Sequence, residues 1–254
     1  GKALRNGIEL AREEASQDNN PKVSLLYEDD QGQASQAVSA ARKLIDVEKV
    51  PAIIGGAMSS TAEAIIPICG QKEVVLISQT ATKSSLSRMG RFFFRLWSPD
   101  DYDGKIMAET AYRKLGLRRV SILYINIAYG ASITEVFEQE FQKLGGRVVS
   151  RDGYNQGEKD FRTFLTKIRI ANPEALYLPG YVAEVTQILK QAKELQSHMA
   201  VIVITAYAEV DDAVKAMQIG AFNYIQKPFK FDELILTIDR ALNYELTLAE
   251  NEVL

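Results

Sequence analysis

The chain has 254 residues, 46% of them apolar and 25% charged, with a net charge of -3, one cysteine and one histidine. That balance offers no basic footprint for nucleic acid, no partner for an internal disulfide and no ordinary zinc ligand set. No apolar run reaches the roughly 20 residues that a spanning helix needs, and "GKALRNGIEL" lacks the apolar core of a signal peptide.

Taken in chain order, helical-period runs alternate with short β-rich runs. "GIELAREEA" reads as a helix, "KVSLLYEDD" as a buried strand ending in acids, and "ASQAVSAARKLIDV" as a helix with Val38, Ala41 and Ile45 on one side. Next come strand "VPAIIGG", helix "SSTAEAIIPICGQ" and strand "VVLISQ", then a Ser/Thr-rich loop and "RFFFRLWSPDDYDG". A second series runs through helix "GKIMAETAYRKLG", strand "RVSILYI", helix "SITEVFEQEFQKLGG", strand "RVVSRDGY", helix "KDFRTFLTKIRIA", strand "EALYLPGY" and helix "EVTQILKQAKELQ". It closes with strand "AVIVITAY", helix "DDAVKAMQIG", strand "FNYIQKP" and a long helix from Asp232, whose Ile235, Ile238, Leu242, Leu246, Ala249 and Val253 step by three and four. Strict alternation with continuously apolar strands predicts an α/β fold of parallel sheets covered on both faces. The boundary between two lobes is expected near residues 95–103.

Chemistry gathers at strand ends. "GGAMSSTAEA" places hydroxyls where a helix begins, so its free N–H groups with Ser59 and Ser60 suit a carboxylate; helix capping by these serines is the alternative. Thr80 and Thr82 of "SQTAT" follow a strand, at the end where open α/β sheets bind ligands. Tyr129 and Tyr181 stand at two further strand ends, as ligand contacts or as packing under loops. No nucleophile–base pair, paired-carboxylate site or phosphate-binding glycine loop is visible, so the chain is read as non-enzymatic and without cofactor or metal.

From residue 1 to about 196, "GKALRNGIELAREEA", "VPAIIGGAMSSTAEAIIPI", "VVLISQTAT", "FFFRL", "SILYINIAYGASITEVFEQEFQKLGG" and "DFRTFLTKIRIANPEALYLPGY" resemble periplasmic binding proteins of the leucine/isoleucine/valine type. The resemblance implies two doubly wound parallel-sheet lobes with an amino acid between them and a membrane transporter as partner. It assigns Ser59, Ser60, Thr80 and Thr82 to the ligand's carboxylate and ammonium, and Tyr129 and Tyr181 to the other lobe's contacts. The family's first strand, expected before "GKALRNG", is missing, so the first lobe is read as incomplete. The segment carrying the acid that pairs with the ammonium is also missing; Glu209 is the nearest substitute.

From about residue 199 to 254, "VIVITAY", "AVKAMQIGAFNYIQKPF" and "DELILTIDRALNYELTLAENEVL" resemble the C-terminal half of a response-regulator receiver domain. That resemblance implies a phosphoryl-contacting Thr205 and Lys227, a rotamer-switching Tyr224, and either a cis bond before Pro228 or a plain strand end there. A receiver's acceptor and metal-binding acids are replaced by Pro179–Gly180 and Asn126, so phosphorylation is not expected. The chain is therefore read as a chimera. Residues 1–100 form the first lobe, and residues 101–254 a flavodoxin-like domain in which 199–254 completes 101–196 as one five-stranded sheet ordered 2-1-3-4-5. The expected function is binding of a branched-chain type amino acid, impaired by truncation and fusion. The alternatives are a signalling module that cannot be phosphorylated and a fold hybrid without activity. Homodimerisation through the last helix or first-lobe strand edges is a further expectation. The two resemblances point to different compartments, periplasm and cytoplasm.

Overall fold

The computed structural model describes residues 2–17, 23–195, 202–205 and 221–226, and towards the C-terminus residues 214, 217, 218, 233, 236–241, 243, 244 and 247. Two compact units divide the chain, Gly1–Pro99 and Asp100–Leu254.

In the first unit, helix α1 (Lys2–Gln17) and helix α2 (Ala34–Arg42) precede strand β1 (Ala52–Ile54). Helix α3 (Ser59–Gln71), strand β2 (Val75–Ser78) and strand β3 (Phe93–Arg95) follow. The strands form one parallel sheet ordered β1-β2-β3, with Ala52 opposite Val75 and Leu76 opposite Phe93. The core lies between this sheet and its helices: Ala37, Ala41, Ile65, Ile66 and Cys69 meet Ile53 and Leu76. Strand β3 falls in "RFFFRL", a run that the sequence pattern does not mark as a strand.

Over its described residues, 23–30, the expected buried strand does not form. Residues 23–30 belong to no ladder, and Val23 and Leu26 are 59% and 49% exposed. An apolar run becomes a strand only when a neighbour accepts its backbone groups, and β1 is the sheet's edge here. We expect amides 23–27 to exchange with solvent several orders of magnitude faster than amides 121–124. Native-state hydrogen exchange checks this, and equal protection would contradict the fold described.

Cys69 is 1% exposed in the core, and burial pushes its thiol pKa up to about 11. Thiolate is the reactive form. A thiol reagent at pH 8 is expected to label Cys69 only as fast as the first unit opens, and at full rate in denaturant.

The second unit begins with helix α4 (Asp100–Glu109), then strand β4 (Arg119–Ile125) and helix α5 (Ala128–Lys143). Strand β5 (Arg147–Tyr154), helix α6 (Arg162–Ala171), strand β6 (Ala175–Tyr177) and helix α7 (Val182–Leu195) continue it. β4 is buried on both faces. Ala108, Ala111, Phe137 and Phe141 pack with Val120 and Ile122, whereas Phe161, Leu165 and Ile188 pack with Leu123 and Ile125. This two-sided cover is why "RVSILYI" is apolar without alternation.

The sheet order is β5-β4-β6, all parallel, which matches the first three places of the expected order. Strands β7 (Ile202–Thr205) and β8 (Asn223–Gln226) pair in parallel with each other. Among the described residues no ladder joins them to β6, so the single five-stranded sheet is not observed. β6 is short, and Pro179 beyond it carries no N–H to extend a ladder. Ala175, Leu176 and Tyr177 instead share with Ile202 and Ile238 the wall of a cavity of about 170 Å³. Of the last helix's expected apolar face, Ile238 is half-buried beside buried Thr237 and Ala241; Ile235, Leu242, Leu246, Ala249 and Val253 lie outside the residues whose side chains are described.

Candidate ligand-binding site

In the first unit the ends of β1 and β2 face the start of α3. Met58, not a serine, is the N-cap residue of α3, and no side chain caps the helix. The capping alternative for Ser59 and Ser60 therefore fails. Ser59 is 3% exposed, and its Oγ accepts hydrogen bonds from the N–H groups of Thr82 (3.2 Å) and Lys83 (3.1 Å). A hydroxyl has two lone pairs and one proton. Both lone pairs are used here, so the proton remains to be donated to an acceptor such as a carboxylate. Thr80 has the opposite bias: its Oγ1 donates to the Ala57 carbonyl at 2.7 Å, leaving lone pairs for a donor such as an ammonium. Ser60 and Thr82 are half-buried beside them. The structure thus brings Ser59, Thr80 and Thr82 to one place within the first unit.

Three residues that hold this place were not singled out from the sequence. Ser78 is fully buried; its Oγ donates to the Gly56 carbonyl at 2.7 Å and accepts the Ala81 N–H at 3.2 Å. Arg95 donates to the carbonyls of Lys83 (3.0 Å) and Ala81 (3.4 Å) and bonds Ser87 Oγ. Lys83 pairs with Glu63 at 2.5 Å, which ties the loop after β2 to α3. The serine at the end of "VLIS" was the available signal for Ser78. Arg95 had none, because the acceptors that fix the loop are the main-chain carbonyls of Ala81 and Lys83.

In the second unit, Tyr129 and Tyr181 stack with their ring planes 8° from parallel and their centroids 6.1 Å apart. Tyr129 stands in the first turn of α5, and Tyr181 immediately precedes α7. Desolvation first, then the negative charge of Asp100, raises the Tyr129 pKa far above its ordinary value. Its hydroxyl is neutral at any physiological pH and can both donate and accept.

The receiver-like positions come out differently. Thr205 ends β7 and Tyr224 lies in β8, with Val203 opposite Tyr224 and Thr205 opposite Gln226. Lys227, Pro228 and Glu209 lie outside the described residues. No cluster of three metal-ligating side chains occurs among the described residues.

The profile of the periplasmic binding protein family matches residues 1–229. The chain belongs to that family. A Leu/Ile/Val-binding protein of Escherichia coli is 28% identical to this periplasmic binding protein over 173 residues, 68% of the chain and 47% of the relative. The chain spans about half the length of the curated relatives it matches, 47% and 51% for two of them. Among solved structures, a leucine-binding protein from Thermotoga maritima superposes with a TM-score of 0.80 at 28% identity, covering 88% of this chain and 64% of that one. An ABC transporter substrate-binding protein from Sphaerobacter thermophilus superposes with a TM-score of 0.64 at 26% identity, covering 74% and 52%. The α/β fold with parallel sheets is that of the family.

Proposed function

We propose that this periplasmic binding protein is a non-enzymatic carrier of a small amino acid of the branched-chain type, delivering it to an ABC transporter in the membrane. One observation carries the reading: the Ser59 hydroxyl, held by two N–H donors, keeps its proton free to donate beside the start of a helix. That arrangement suits a carboxylate. Similarity to a Leu/Ile/Val-binding protein and to a leucine-binding protein supports the same class. Within the first unit, Ser59, Ser60, Thr80 and Thr82 would take the ligand's charged end; within the second, Tyr129 and Tyr181 are the residues that the resemblance assigns to ligand contact.

Affinity is expected to be low, because the segment carrying the family's ammonium-binding acid is replaced in this sequence. A desolvated ammonium without a charged partner costs several kcal/mol. Calorimetric titration with leucine tests both parts. Binding weaker than about 10 μM is expected, with N-acetyl-leucine retaining most of it and leucinamide losing it. Silence up to millimolar leucine, isoleucine and valine would sink the ligand class. Tight leucine binding that acetylation abolishes would show a competent ammonium partner, and Glu209→Ala would then identify it.

A second reading rests on the sequence resemblance alone. We propose that residues 199–254 derive from the C-terminal half of a receiver, in which β7 and β8 pair in parallel with each other. Among the described residues no ladder joins them to β6, which counts against their completing the β5-β4-β6 sheet as one hybrid domain. With Asn126 and Pro179–Gly180 in place of acids, acetyl phosphate is expected to leave the intact mass unchanged. A stoichiometric adduct lost with hydroxylamine would overturn this.

A further inference from the structure

Tyr154 is 1% exposed at the end of β5, and its hydroxyl has no hydrogen-bond partner among the described residues. A buried hydroxyl without a partner is unfavourable, so a residue that keeps one has a use for its bulk or its position. Gly180 stands close to this hydroxyl. A methyl group there would lie 2.1 Å from the Tyr154 hydroxyl oxygen and 3.0 Å from Val185 Cγ2. Gly180 is not among the residues with positive φ, so proximity rather than backbone conformation requires glycine here.

Both partners are held by consecutive residues of one strand end. The Ile125 N–H donates to the Pro179 carbonyl at 2.9 Å, and the Asn126 N–H donates to the Tyr154 carbonyl at 2.8 Å. The Tyr154 ring is fixed further by an edge-on contact with Phe161, at 5.2 Å and 88°. The hydroxyl therefore has little room to retreat from Gly180. Tyr181 follows Gly180 directly and stacks on Tyr129.

We propose that Tyr154 is a positioning residue whose hydroxyl wedges beneath Gly180 and thereby sets Tyr181 against Tyr129. Its effect on ligand affinity rests on the amino-acid-binding reading; its effect on the tyrosine pair does not. Tyr154→Phe, Gly180→Ala and the double variant separate the two. In the full chain labelled with 3-fluorotyrosine, the Tyr181 resonance is assigned by its loss in Tyr181→Phe. Tyr154→Phe is expected to broaden or shift that resonance without lowering the unfolding temperature, which a purely structural role would not do. Gly180→Ala is expected to displace it further, and the double variant to restore it to the Tyr154→Phe position. Leucine affinity should follow, falling about tenfold in Gly180→Ala and returning to within about twofold of Tyr154→Phe in the double variant. An unmoved Tyr181 resonance in Tyr154→Phe, or a double variant as displaced as Gly180→Ala, would overturn the wedge. If Gly180→Ala does not fold, recovery of a folded double variant supports the wedge and failure of both overturns it. Loss of leucine binding in every form, the unmutated chain included, would refute the ligand reading and leave the resonances to decide the wedge.

Discussion

Gly130→Ala is expected to destabilise the second unit by about 3 kcal/mol, at the upper end of the usual overpacking range. Gly130 is buried in the first turn of α5, directly after Tyr129. An added Cβ would lie 2.0 Å from the Ile125 carbonyl oxygen and 3.0 Å from its carbonyl carbon. Those atoms are main chain at the end of β4, the most deeply buried strand of the sheet, and no rotamer change moves them aside. Either the helix start or the strand end must shift, and Tyr129 shifts with it. Thermal denaturation followed by circular dichroism should register a fall of about 6–12 °C in the second unit's transition. An unchanged transition would mean that the β4–α5 turn is looser than described. Gly116, with φ of +69° and open space around it, is the control. There alanine meets only backbone strain, about 1 kcal/mol, and Tyr129 stays in place.

Ser59→Ala carries the second large effect, on stability and binding together. Its Oγ accepts two main-chain N–H groups from the loop after β2, and alanine leaves both without that acceptor. An unsatisfied buried donor costs about 1–3 kcal/mol. The first unit's stability should fall by that amount, read as faster labelling of Cys69. Leucine binding should disappear as well, since the free hydroxyl proton and the placement of Thr82 are lost at once. Ser59→Thr keeps the oxygen and separates the two effects. It should restore most of the lost stability, while its extra methyl in a site 3% exposed limits recovery of affinity. Full leucine affinity in Ser59→Ala would remove the cradle from the binding reading.

The strands and helices of the second unit are legible because each face is locally encoded. "RVSILYI" is apolar at every buried position but Ser121, and Phe137 and Phe141 in "VFEQEFQ" fall one helical turn apart on the buried side. The same local logic fails for "KVSLLYEDD". Its apolar content is that of a strand, yet a strand exists only through the ladder beside it, and nothing local records whether that neighbour is present. The split between β5-β4-β6 and β7-β8 has the same origin. Each run reads as a strand on its own, and pairing is a property of two runs.

By itself the sequence determined the α/β class, the parallel sheets and the placing of Ser59, Thr80, Tyr129 and Tyr181 at strand or helix ends, since periodicity and turn residues encode burial and chain direction locally. Only the tertiary structure decided what those side chains do. It made Ser59 an acceptor for Thr82 and Lys83 rather than a cap, oriented the Thr80 proton toward Ala57, and laid Tyr181 on Tyr129. It also aimed the Tyr154 hydroxyl at a glycine on another loop. Hydrogen bonding and close packing at a few ångströms depend on which segments meet, and residues far apart in the chain carry no local mark of the partner they will find.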